Sequence, residues 1–109
     1  MSTILHITKR LEWENAQKMG CYEAESLRTQ GFIHCSTTDQ IIEVANFLFR
    51  GQPDLVLLYI DTDKLISQVR YENLENGKTL FPHIYGPLNL EAVIKARDFQ
   101  PRCDGTFAL

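Results

Sequence analysis

What the sequence lacks narrows it first. Cysteine is scarce: Cys21, Cys35 and Cys103 are odd in number and widely spaced. No two of them form a CxxC pair, so neither a zinc ribbon nor a thioredoxin-like motif is supported. They read as reduced thiols that pack. No apolar run approaches the ~20 residues that a membrane span needs. The start, Met1-Ser2-Thr3-Ile4-Leu5-His6, runs straight into a strand-like pattern, without a charged region and a signal-type apolar stretch. A cytoplasmic protein is expected. A basic block is missing too: residues 1–50 carry five basic and six acidic side chains, and residues 51–109 carry six and eight. With a net charge of −3 and a pI near 5.5, an extended duplex nucleic-acid footprint is disfavoured, because such binding rests on phosphate neutralisation. A small anion or a single nucleotide needs only one or two local cations and stays open. There are no repeats, low-complexity segments or linkers.

What is present is an ordinary globular composition. Hydrophobic residues make up 44% and charged residues 23% of 109 positions, which fits one domain over residues 1–109. Thr3 to Thr8 reads as a strand. Leu11, Ala16 and Met19, with Trp13 beside them, suggest a core-facing helix that Gly20 stops. Cys21 to Arg28 is ambiguous, with a helical turn at Glu23–Leu27, and Phe32 to Ser36 is a short strand. The clearest helix runs over Asp39–Phe49. Ser36, Thr37 and Thr38 are good N-caps, and Gln40 completes a capping box with Thr37. Its stripe of Ile41, Val44, Ala45, Leu48 and Phe49 reads as core packing and not as a partner groove. Leu55 to Ile60 is a continuous apolar run, as in a central strand buried on both faces.

Asp61 to Leu65 reads as a turn or a single helical turn, Val69 to Glu72 as a strand, and Asn76-Gly77 as a tight turn. Phe81 to Tyr85 is a strand that Pro82 moves to an edge or a bulge. Leu90 to Ala92 is a helical turn, Val93 to Phe99 a final strand, and the tail from Pro101 is irregular. The sum is a compact α+β domain with a mostly antiparallel, split sheet and two main helices in its N-terminal half.

The chemistry concentrates on three histidines, His6, His34 and His83, each in a predicted strand. Imidazole changes charge near neutral pH, so three on strands and none on helix surfaces point to a shared site. The bland reading of each is a satisfied structural group. Phe81-Pro82-His83-Ile84-Tyr85-Gly86-Pro87-Leu88 puts His83 and Tyr85 on one strand face and fixes the backbone around them. A helix start at Ser36 to Thr38 would offer free N–H groups to a phosphate or carboxylate, although plain capping explains it as well. Glu72 is a candidate carboxylate or simply a solvated side chain.

The blocks Ile4-Leu5-His6-Ile7-Thr8, Gly31-Phe32-Ile33-His34-Cys35-Ser36 and Phe81 to Leu88 resemble the signatures of a small domain-of-unknown-function family, family 952 of that series. More distantly, the order of elements resembles the ADP-ribosyltransferase-like fold. In that fold a first-strand His or Arg binds the NAD ribose, a strand-to-helix unit supplies Tyr, His or Ser near nicotinamide, and a third strand supplies Glu. His6 matches the first position and His34 or Ser36 the second. The stretch from His34 to Asp61 also looks like the RNA 2′-phosphotransferase branch. His83 falls near the third position, where a glutamate is expected, and Glu72 is the only nearby substitute. Ile7 stands where a glycine usually follows the first-strand His.

The resemblance implies a small-ligand site, that of an NAD- or nucleotide-using transferase. His34 and His83 are its catalytic candidates; His6, Thr8, Ser36, Thr37 and Tyr85 are its ligand-binding candidates, with Tyr85 stacking on a base. NAD is the implied cofactor and no metal is expected. Other readings are a nucleotide-binding module without turnover, a three-histidine metal site and a plain interaction domain. All but the last require His6, His34 and His83 to meet in one cleft, and a structure that separates them would exclude these readings together.

Overall fold

The structure, a computed structural model, describes residues 2–73 and 79–109. The expected Asn76-Gly77 turn lies outside the described residues. Strand β1 (Thr3–Lys9) leads into helix α1 (Arg10–Met19), β2 (Cys21–Tyr22), helix α2 (Glu25–Gln30), β3 (Ile33–His34) and helix α3 (Ile41–Leu48). Then come β4 (Leu55–Asp61), a 3-10 turn at Thr62–Lys64, β5 (Gln68–Glu72), β6 (Phe81–Tyr85), β7 (Leu88–Asn89), a 3-10 turn at Leu90–Ala92 and β8 (Val93–Phe99). All described pairings are antiparallel, in the orders β1-β4-β8, β3-β6-β5 and β2-β7. The fold is therefore mixed α+β, and no described helix is long and apolar enough to cross a membrane.

The apolar run of β4 does what its composition dictates. Successive side chains point to opposite faces, and both faces are covered. Val56, Leu58 and Ile60 join Ile4, Ile33, Ile84 and Leu88 in one core. Leu55 and Leu57 join Leu5, Ile7, Ile41, Ala45, Phe99 and Phe107 in a second. The irregular tail was expected, but its part in this core has no periodic signal. Phe107 is 1% exposed and stacks on Phe99 with ring centroids 4.7 Å apart, and its N–H donates to Asn46 Oδ1 at 2.7 Å.

Three expectations need correction. In α1 only Ala16 of the proposed stripe is buried, while Leu11 and Met19 are exposed and Trp13 packs half-buried against the first core. The helix meets the core along one narrow line, so apolar spacing overstated its contact. Second, β6 is the middle strand of its sheet, not an edge. Pro82 is tolerated because β3 pairs only through His34. Beyond that point the β3 side of Pro82 needs an acceptor alone, and its carbonyl takes the Cys35 N–H at 3.0 Å. Third, α3 opens at Ile41, not Asp39. The Thr37–Gln40 capping pair is formed in part, with Thr37 N–H donating to Gln40 Oε1 at 2.9 Å. Ser36 to Thr38 precede the helix in a bridge and turn, and the Thr37 carbonyl accepts the Gln40 and Ile41 N–H groups at its start.

The two larger sheets meet at one antiparallel bridge. Leu5 N donates to Ser36 O at 2.7 Å and Ser36 N to Leu5 O at 2.8 Å. Backbone groups alternate sides along a strand. Leu5 therefore turns away from β4, and so does Ile7, two residues on. A continued ladder would next pair Ile7 with His34. No backbone bond joins them among the described residues. The His34 carbonyl is instead taken by the His6 ring, whose Nδ1 lies 2.5 Å away. The sheet splits here, and a cleft opens in the gap.

Removing the Phe107 ring leaves a cavity beside Phe99. Phe107→Ala is expected to cost about 3–5 kcal/mol, read as a fall in the urea midpoint. A midpoint unchanged from the parent would show that the tail is not part of the core.

Candidate functional site

The cleft holds about 930 Å³, at the upper end of the volumes of small-molecule sites. It runs from the split between β1 and β3 across the outer face of the β3-β6-β5 sheet, and α3 walls its far side. The register explains that face. His34 pairs with His83 and Arg70 with His83, so His34, His83, Arg70 and Glu72 share one side. Ile33, Val69 and Ile84 take the other side and pack into the first core.

His6, His34 and His83 all line the cleft. The His34 and His83 rings meet nearly edge-on, 5.4 Å between centroids. Phe32, buried, stacks on His83 at 4.2 Å and meets His34 edge-on at 4.8 Å. His34 is exposed, and its Nε2 bonds Gln30 Oε1. Ser36 also lines the cleft, with its backbone committed to the Leu5 bridge.

Glu72 links two side chains of this face. His83 Nδ1 lies 2.9 Å from Glu72 Oε1, and Tyr85 donates its O–H to the same oxygen at 2.5 Å. An ionised carboxylate only accepts, so His83 carries its proton on Nδ1. These bonds, that of Tyr85 first, hold the Glu72 carboxyl below the usual carboxylate range. The same bond to Glu72 pushes the Tyr85 phenol up, so it stays a donor.

His6 plays a different part. Its Nδ1 donates to the His34 carbonyl, since a carbonyl cannot donate. Its Nε2 lies 2.8 Å from Tyr22 Oη, which is also 3.0 Å from Thr8 Oγ1. Thr8 in turn donates to Glu12 Oε2 at 3.1 Å. Both His6 nitrogens are engaged by protein, so neither reaches a ribose hydroxyl without giving up a buried bond. The ring braces the split. Burial lowers its pKa to about 4 and raises that of Tyr22 to about 12.

Of the other expected ligand-binding residues, Thr8 and Thr37 do not line the cleft. Thr8 is turned to Tyr22 and Glu12, and Thr37 to Gln40. Tyr85 is also outside the lining. Arg70 lies over its ring at 4.7 Å, and Phe32 is 5.3 Å away. That ring is covered where base stacking would need it open. Its hydroxyl reaches Glu72. Cys35 lies at the cleft wall, but burial pushes its thiol up, away from the nucleophilic thiolate. All three cysteines are free. Among the described residues no group of three metal-ligating side chains gathers, and both His6 ring nitrogens are engaged by protein.

Two features of the cleft have no local mark in the sequence. Glu72 shares its face with His83 because Arg70 is registered on His83, and nothing local encodes that register. The other is the outward side of α3. Phe47 is 83% and Leu48 63% exposed, and both line the cleft with Val44. The helix is thus a wall of the site as well as core.

A buried neutral imidazole gives stability a pH dependence. Unfolded, His6 titrates near 6.5, and folded near 4. Between those values the unfolded chain binds more protons, so stability rises with pH. The contribution is complete above about 6.5 and is lost as pH falls towards 4, by up to about 3 kcal/mol. Urea midpoints measured across this window should show that slope, and His6→Gln should flatten it. An equal slope in the variant would assign it to other groups.

Among solved structures, the chain is similar to protein CC0527 from Caulobacter crescentus. The X-ray crystal structure of that protein matches with a TM-score of 0.89 at 35% identity, covering 99% of this chain and 95% of that one. Its double mutant gives 0.88 at 34% over the same shares. Its solution NMR structure gives 0.85 at 36%, over 97% and 91%. No curated protein matches. One family model, described as protein of unknown function (DUF952), matches residues 7–96. That span takes in β1 from Ile7, the whole β3-β6-β5 face and most of β8, and the chain belongs to this family.

Proposed function

We propose that the cleft is a small-ligand site of ADP-ribosyltransferase-like type that takes NAD or another nucleotide-sized molecule. The single observation that carries this reading is the convergence of His34, His83 and Glu72 on one apolar-walled cleft of about 930 Å³. Such sites pair a mostly apolar lining with a few convergent polar groups. Here Phe47, Leu48 and Phe81 offer the apolar surface for a planar base or similar group. His34, His83 and Glu72 offer donors and acceptors for hydroxyls. In the ADP-ribosyltransferase-like arrangement a carboxylate near the third position stabilises a sugar that gains positive charge as its glycosidic bond breaks. Glu72 supplies an ionised carboxylate at the cleft, and both its bonds from described residues fall on Oε1. A transferase is therefore the activity we assign to the site, with NAD as its candidate co-substrate.

A thermal-shift screen against NAD, ADP-ribose, mononucleotides and 2′-phosphorylated RNA ends tests this. A ligand at 100 times its dissociation constant adds about 2.7 kcal/mol of stability. His34→Ala should reduce the shift and leave the unliganded midpoint near that of the parent, because the ring is exposed. No shift with any of these compounds, or one that His34→Ala and Phe47→Ala both leave intact, would overturn the reading.

A further inference from the structure

The cleft contains a proton acceptor that is already set. His83 Nδ1–H is bonded to Glu72 Oε1 at 2.9 Å, which leaves Nε2 as the lone-pair nitrogen of the neutral ring. Phe32 lies against the ring plane at 4.2 Å and 25°, which restrains its rotation. No described residue bonds Nε2. No buried side-chain nitrogen or oxygen lacks a partner among the described residues. Nε2 therefore opens to the cleft that His83 lines. Tyr85 donates to the same Glu72 oxygen at 2.5 Å, fixing the carboxylate from a second direction. A base oriented in this way by a third group is the arrangement that general-base catalysis needs.

We infer that Glu72 and His83 form a carboxylate–imidazole pair whose Nε2 accepts the proton of a ligand or acceptor hydroxyl bound in the cleft. The O–H bond breaks, the electron pair stays on oxygen, and the proton passes to Nε2 to give an imidazolium beside the Glu72 carboxylate. The activated oxygen then bonds to the anomeric carbon of the ligand's sugar as that carbon's glycosidic bond breaks, the leaving group departs with the electron pair of the broken bond, and no redox partner is needed. His83 is the catalytic residue, Glu72 its positioning residue, and Tyr85 positions Glu72. The occupant rests on the small-ligand reading above; the pair itself does not. It commits the site to a hydroxyl-bearing acceptor in preference to a thiol of the protein, since Cys35 is held as the thiol by burial.

Nitrogen-15 correlation spectra of the histidine side chains in the full chain test the pair without a ligand. The expected result is the Nδ1–H tautomer for the neutral His83 ring, as its bond to Glu72 requires. Glu72→Ala removes the acceptor and should shift His83 towards the Nε2–H tautomer that a free imidazole side chain favours. Tyr85→Phe should leave the Nδ1–H tautomer in place, and amide spectra would report whether each variant keeps its fold. Diethylpyrocarbonate supplies a second readout: His83 should react in the parent, and His6, with both nitrogens bonded, should not. An Nε2–H tautomer in the parent, or a folded Glu72→Ala with the parent tautomer, would overturn the inference. The expected tautomers with no ligand found would sink the small-ligand reading and leave the pair standing. A ligand bound in the cleft with His83 in the Nε2–H form would sink the pair alone.

Discussion

The hydrogen bond from the His6 ring to the His34 carbonyl is the contact on which the site depends. Leu5 and Ser36 begin a ladder that backbone geometry alone would extend to Ile7 and His34. A side chain takes the carbonyl that the next amide would have used, so the sheets stay joined without closing. A complete ladder would fill the gap with backbone bonds and leave no cleft. An absent bond would leave the Leu5–Ser36 bridge as the backbone link described between β1 and the β3 side. The chain beyond the ring, Tyr22, Thr8 and Glu12, keeps the imidazole in that place. The first-strand histidine thus supports the site from behind it.

That division of labour orders the rest of the cleft. The buried ring of His6 builds the gap, and the His34, His83 and Glu72 side chains face into it. Aromatic stacking by Phe32 and the shared Glu72 oxygen preorganise the second group. Preorganised polar groups need no rearrangement when a ligand arrives, which is how a small domain can hold a specific site. On the opposite wall α3 exposes Phe47 and Leu48, residues that the core does not need. Large apolar side chains exposed together beside convergent polar groups mark a binding surface better than they mark faulty packing.

Much of this architecture was legible in the chain. The β4 run announced a strand buried on both faces, while the strand positions of the three histidines suggested a shared site and left their convergence open. The family named from the motif blocks is the one whose model matches residues 7–96. What the sequence could not carry was pairing. Pro82 argued for an edge, and only the two-residue length of β3 explains its place in the middle of a sheet. Glu72 and His83 are eleven residues apart, and their contact depends on a register set by the whole hairpin. Tyr22 has no local mark, because a two-residue strand shows no alternation. The partners of His6 and Tyr85 were not legible for one reason: a residue type suggests what a side chain can bind, and only the fold shows what lies beside it.

The central claim is that the sheet ends its ladder between Leu5–Ser36 and Ile7–His34, so amide hydrogen exchange at these positions tests it most directly. The Leu5 and Ser36 amides should be protected to a level set by opening of the core. The Ile7 amide, which turns away from β4 into the split, should exchange orders of magnitude faster despite its burial. Ile7 protected as strongly as Leu5 would mean that the ladder continues, that the split is absent and that the cleft is not a built site.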